Sequence, residues 1–135
     1  MKSKDIVIEA KNLDRGKKFR ITRMSAWDAA VWAERAISGM VNAGVDILGE
    51  IEKAPSVAAL ADIGMLHLAR IERSEREDLG RQLLDCCRLV YNAKGDTREI
   101  FPADIEEALT IFRLKTEAFS LMISHFIGGG GSIST

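Results

Sequence analysis

Residues 18–28 read Lys18-Phe19-Arg20-Ile21-Thr22-Arg23-Met24-Ser25-Ala26-Trp27-Asp28, and the hydrophobic period changes in the middle of them. Before Ser25 the run alternates, with Phe19, Ile21 and then Arg23 or Met24 near a period of two, which predicts a half-buried strand. From Ser25 the pattern becomes helical. Ser25 and Asp28 form a capping box, no proline follows until Pro55, and Gly39 is the only weak helix former before Ala43. A strand feeding directly into a long helix is therefore the first element of the fold.

Upstream, residues 5–10, Asp5-Ile6-Val7-Ile8-Glu9-Ala10, form a second β-branched run. The turn formers Asn12, Asp14 and Gly16 lie between the two runs, and Gly16 is free to take positive φ, so an antiparallel hairpin is expected over residues 1–24. A lone hairpin is marginal in water. Its apolar face, Ile6, Ile8, Phe19 and Ile21, must pack on the helices that follow or pair with strands of another chain.

Downstream, Trp27, Ala30, Val31, Ile37, Met40 and Val41 recur at helical steps over about 26–43, with Trp32 and Ala36 widening the stripe and Gly44 placed to end it. Residues 44–55 read as a connector lying against the core through Val45, Ile47, Leu48 and Ile51. A second helix starts near Ser56, with Val57, Leu60, Ala61, Gly64, Leu68 and Ile71 on one side. The capping box Ser74-Glu75-Arg76-Glu77 predicts a third helix over about 75–91 carrying Leu79, Leu83, Cys86, Cys87 and Val90. After a loop around Gly95, Pro102 opens a fourth helix over about 103–127, with Asp104, Glu106 and Glu107 in its first turn. Its apolar residues form two stripes: Ile105, Leu109, Phe112, Phe119, Met122 and Phe126 on one, Ile111, Leu114, Ala118 and Leu121 on the other. The predicted fold is mainly α, an N-terminal hairpin followed by a compact four-helix, bundle-like body. A single domain covers 1–127, and a flexible glycine-rich tail covers 128–135.

The chain has 135 residues, 47% hydrophobic and 29% charged, the balance of a globular protein able to bury its own core. Charged residues interrupt every apolar run well short of the ~18 residues of a membrane span, so no membrane association is expected. The first residues lack the long apolar stretch of a secretory signal, and Cys86 and Cys87 are adjacent, an arrangement that disfavours a disulfide framework. A reducing, cytoplasmic setting follows as the expectation. Residues 1–24 carry a net charge of +5 and the remainder −6, which suits an anionic partner or the docking of one copy's beginning on another copy's body.

Chemistry-bearing groups are few. His67 and His125 have neither a His-Glu-x-x-His arrangement nor a Cys-x-x-Cys beside them, so neither a metal nor a catalytic base is expected. Cys86 and Cys87 read as core, away from any helix N-terminus that would activate a thiolate. Gly128–Gly131 lack the Lys-Ser/Thr of a phosphate-binding loop, and no other cofactor motif is present. Adjacent acids such as Glu106 and Glu107 diverge by about 100° on a helix, which suits a solvated turn. The mixed run Arg70 to Arg81 reads as a solvated, charge-paired face. Phe19 is the only aromatic among the hairpin's bases, a pattern that argues against nucleic-acid binding. An enzyme is the least supported class.

The segment from Gly16 to Ile37 resembles the opening of the tail assembly chaperones of long, non-contractile-tailed bacteriophages and prophages. That family shows a strand ending Phe-x-Ile-Thr-x-Met and a helix containing Trp-Ala-x-Arg-Ala; here Phe19, Ile21, Thr22, Met24, Trp32, Ala33, Arg35 and Ala36 match. The similarity runs on loosely through the Leu/Phe-rich segment Leu109 to Phe126. This chain departs from the family at Arg23, where an acid is common, and near Val31, where a charge is common.

The resemblance implies a small helical protein, without catalytic residues, that coats the tape measure protein in the host bacterial cytoplasm and helps recruit tail tube subunits. Such a protein leaves before the virion is complete. It also implies a longer product made by translational frameshifting, for which the codons of Gly128–Gly131 are the candidate slippery tract. The alternative is a minor tail or connector subunit that stays in the particle. For partner binding, Phe112, Phe119, Met122 and Phe126 are expected to line either the core or a client groove. Phe19 and Ile21 are assigned to homo-oligomer contacts, and Trp27 and Trp32 complete the candidate set.

Overall fold

The computed structural model describes residues 3–126. Among them the chain forms β1 (Ser3–Val7), β2 (Lys18–Thr22), α1 (Ala26–Asn42), α2 (Ile47–Lys53), α3 (Val57–Leu68), α4 (Arg73–Leu84), β3 (Cys87–Val90), β4 (Thr97–Arg98) and α5 (Ala108–Ile123), with a 3-10 turn at Pro102–Asp104. The expected tail at 128–135, with the candidate slip site, lies outside the described residues. No helix among those described is long and apolar enough to cross a membrane.

The hairpin and the helix that follows it form as the local signals dictate. Gly16 takes φ +87°, the left-handed conformation that the turn requires. Ile6 stands opposite Phe19 in the antiparallel register, and the Ser25 hydroxyl accepts the Asp28 amide at 3.1 Å to cap α1. Ser56 likewise caps α3 through the amide of Ala59.

The four-helix, bundle-like body is corrected to a mixed α/β architecture: a four-stranded antiparallel sheet in the order β1-β2-β3-β4, with helices packed on it. The expected third helix ends at Leu84, and Cys87 to Val90 leave it as β3. The open edge of β2 explains this. Lys18 to Ile21 have backbone groups that pair with Cys87 to Val90, with Ile21 opposite Cys87 and Phe19 opposite Leu89. Gly95, at φ +89°, then turns the chain into β4. The sheet face carrying Ile6, Phe19, Ile21 and Cys87 joins Leu114 and Ala118 of α5 in a single core cluster.

Three further boundaries differ. The connector contains α2, capped by the Asp46 carboxylate through the Gly49 amide. The N-cap of α4 is Glu72 rather than Ser74; its carboxylate accepts the amides of Ser74 and Glu75, with its charge at the positive end of the helix. Finally, α5 begins at Ala108, not at 103, because Asp104 is held elsewhere by Arg98 and by the Phe101 amide. Glu106 and Glu107 consequently precede the helix. Their amides are both accepted by the buried carboxylate of Asp14, at 2.9 and 3.0 Å, so the β1–β2 turn performs the capping from across the fold.

A candidate partner-binding surface

A helix packed on one side divides its residues into two faces, and α1 does so sharply. Ala29, Trp32, Ala36 and Met40 are buried. Trp32 is fixed twice: its indole N–H donates to the Leu79 carbonyl at 3.0 Å, and its ring lies 5.4 Å from that of Phe119. Arg35 ties the helix to α4 through Glu75 and Asp78, at 2.5 and 2.7 Å. These attachments settle the rotation of α1, and that rotation turns Trp27, Val31, Ile37 and Val41 outward. Trp27 is 83% exposed. The expected inward stripe is thereby corrected, since of its six members only Met40 is buried.

The C-terminal end of α5 closes one side of this face. The Nε2 of His125 lies 2.6 Å from the Met24 carbonyl, and Arg23 donates to the Ser124 hydroxyl at 3.1 Å. Held there, Phe126 lines a shallow groove with Trp27, Ala30, Val31, Ala33, Glu34 and Ile37. Ala33, Ile37 and Phe126 also border a neighbouring apolar cleft of about 160 Å³ that reaches between α1, α2, α3 and α5 to Phe119 and Met122. Glu50 and His67 stand in its wall with Nε2 and Oε1 3.5 Å apart.

The residues named from sequence thus separate. Phe19, Ile21, Trp32, Phe119 and Met122 are buried in the core of this chain, the last three at the floor of the apolar cleft. Trp27 and Phe126 come together at the α1 groove. Phe112 is exposed on α5, one turn from the exposed Leu109. Phe19 and Ile21, expected at homo-oligomer contacts, belong to the core cluster that includes β3 and α5 residues of the same chain.

No protein-family model, characterised protein or solved structure matches the chain.

The remaining polar groups serve the fold. Burial pushes the Asp14 carboxyl up, but bonds from Lys17, Thr110 and the amides of Glu106 and Glu107 outweigh it and hold it well below the usual carboxylate range. Burial pushes the Cys86 and Cys87 thiols up to about 11 and about 12. Part of the basic N-terminal charge is spent inside the chain: Lys4 pairs with Glu117 at 2.8 Å, and Lys17 reaches Asp14 at 2.8 Å and Glu106 at 3.4 Å. Among the described residues no group of three or more His, Cys, Asp or Glu is arranged to hold a metal ion.

The broad stripe expected on α1 resolves into two faces. Residues 27, 30, 34, 37 and 41 follow three- and four-residue steps, and 29, 32, 36 and 40 do the same one face away. Periodicity alone does not say which of two such stripes is buried; the Trp32–Leu79 bond and the Arg35 pairs decide it.

Proposed function

We propose that this chain is a tail assembly chaperone of a long-tailed bacteriophage or prophage. In this reading it is a non-enzymatic protein of the host cytoplasm that covers the helices of the tape measure protein, helps bring in tail tube subunits, and is absent from the finished virion. The observation that supports this best is the outward apolar face of α1, where Trp27, Val31 and Ile37 line a groove with Phe126 and Val41 is exposed one turn beyond Ile37. Contiguous apolar surface of this kind marks sites where another chain is covered, and a single helix face is the form suited to a helical client. The resemblance of Gly16 to Ile37 to the chaperone family includes this helix.

The test is co-expression with the tape measure protein followed by pull-down. The unaltered chain retains the tape measure, Trp27→Asp/Ile37→Asp loses it, and Leu66→Asp, which alters an exposed residue on α3, retains it. Retention by the double variant, with its fold intact, removes the α1 face from the reading. Mass spectrometry of purified particles distinguishes a chaperone from a minor tail or connector subunit, since only the subunit remains in them at stoichiometric amount.

A further inference from the structure

The outward row on α1 has the spacing of a coiled-coil seam. Trp27, Ala30, Glu34, Ile37 and Val41 fall at alternating steps of three and four, the spacing at which a second helix meets the first along its length. Four of the five are apolar. The fifth, Glu34, lies in the middle, exposed and lining the groove between Trp27 and Phe126. The small side chain of Ala30 beside it lets a partner helix come close.

The acids along the seam are unpaired. Asp28 and Glu34 are the acids of α1, and Asp85 lies with Asp28 and Trp27 at the N-terminal end. Among the described residues none of these three makes an ion pair; of the bases that share a cleft with Glu34, Arg35 is committed to Glu75 and Asp78, and Arg70 donates to the Ala43 carbonyl. Arg88, near Trp27, donates to Thr97. A carboxylate in an apolar seam costs free energy when a partner covers it unless the partner supplies a cation, and a single polar seam position sets register and partner choice.

We infer that the α1 seam receives an amphipathic helix whose apolar heptad face carries one Lys or Arg opposite Glu34. This rests on the reading of α1 as a client surface and adds the chemistry of the client. The 17 residues of α1 span roughly 25 Å, so the occupant is a helix of about five turns. Electrostatic selection at one buried position discriminates between otherwise identical apolar faces.

The probes are two stapled peptides of about 20 residues with the same Leu seam, one with Lys and one with Glu at the central seam position. The full chain binds the Lys peptide about tenfold more tightly than the Glu peptide, a difference of ~1.4 kcal/mol, and the emission of Trp27 shifts to the blue on binding. Glu34→Lys reverses the preference, and Glu34→Leu removes it. Equal affinity for both peptides, or no reversal in Glu34→Lys, overturns the inference. So does dimerisation of the chain in sedimentation that Trp27→Asp abolishes, because a second copy is then the occupant. If the charge swap behaves as stated but the tape measure protein does not co-purify, the chaperone reading fails and the seam assignment stands; the opposite pair of results does the reverse.

Discussion

The carboxylate of Asp14, fully buried in the β1–β2 turn, accepts a hydrogen bond of 2.6 Å from the hydroxyl of Thr110, 96 residues further along the chain. With Lys17 and the amides of Glu106 and Glu107 it forms a closed network joining the N-terminal hairpin to the start of α5. Removing the acceptor leaves buried donors unpaired. Asp14→Ala is therefore expected to cost about 3–5 kcal/mol, and Asp14→Asn, which brings an N–H₂ against other donors, nearly as much. Urea denaturation monitored by far-UV circular dichroism measures both.

The same network gives a pH dependence with a definite sign. Hydrogen bonds hold Asp14 well below the usual carboxylate range, and the Arg98 guanidinium followed by the Phe101 amide lowers Asp104 to about 2. A carboxyl whose folded pKa is depressed contributes stability above its unfolded pKa, ~3.9, and loses it as pH falls toward the folded value. Unfolding free energy is expected to fall steeply below about pH 4. The drop is shallower in Asp14→Asn and in Asp104→Asn, which chemical denaturation at a series of pH values resolves.

The two tryptophans lie on opposite faces of one helix and should respond oppositely to substitution. Trp32→Ala removes a buried ring in contact with Phe119 together with the bond to Leu79, and is expected to cost about 3–5 kcal/mol. Trp27→Ala removes a ring that is 83% exposed and should stay within ~0.5 kcal/mol. Thermal unfolding of both variants checks this, and the Trp32→Ala protein should retain the red-shifted emission of an exposed indole.

How much of this was legible beforehand depends on where each decisive contact lies in the chain. Ser25, Gly16 and Ser56 act on neighbours two or three residues away, and local sequence reads them correctly. Cys87 to Val90 are different. As an apolar run after a helix they fit a helical stripe equally well, and only the unpaired edge of β2, some 70 residues upstream, makes a strand of them. The start of α5 differs from the local signal for the same reason, because the carboxylate that accepts the amides before it, Asp14, lies more than 90 residues upstream. On α1 the apolar residues read as one broad stripe, and which part of it is buried is set by contacts from α4 and α5.

Gly64 on α3 faces the ring of Phe119, and a Cβ built there falls within the contact distance of that ring. Phe119 is itself pinned between Gly64 and Trp32, so it cannot swing away without disturbing the core. Gly64→Ala gains helix propensity but overpacks this contact, and the net expectation is a destabilisation of about 1–3 kcal/mol. Pairing it with Phe119→Leu, which frees the space, should recover part of the loss, and a double-mutant cycle in urea reads the coupling.

The thiols report on how closely α5 covers the start of β3. Burial is the leading cause that raises Cys86 to about 11 and Cys87 to about 12, with the charge of Asp85 adding to both. At pH 8 the thiolate fraction of Cys86 is then about a hundredfold below that of an unperturbed cysteine, and that of Cys87 lower still. A thiol on the outer face of a helix would react freely, whereas Cys87, pointing from β3 at the Leu114 carbonyl, is shielded by α5. Native protein is expected to take up an aromatic disulfide reagent slowly, Cys86 before Cys87, with both reacting at once in urea. Fast labelling of Cys87 in the native state contradicts its burial beneath α5, and peptide mapping after timed alkylation identifies which of the two adjacent sulfurs reacted.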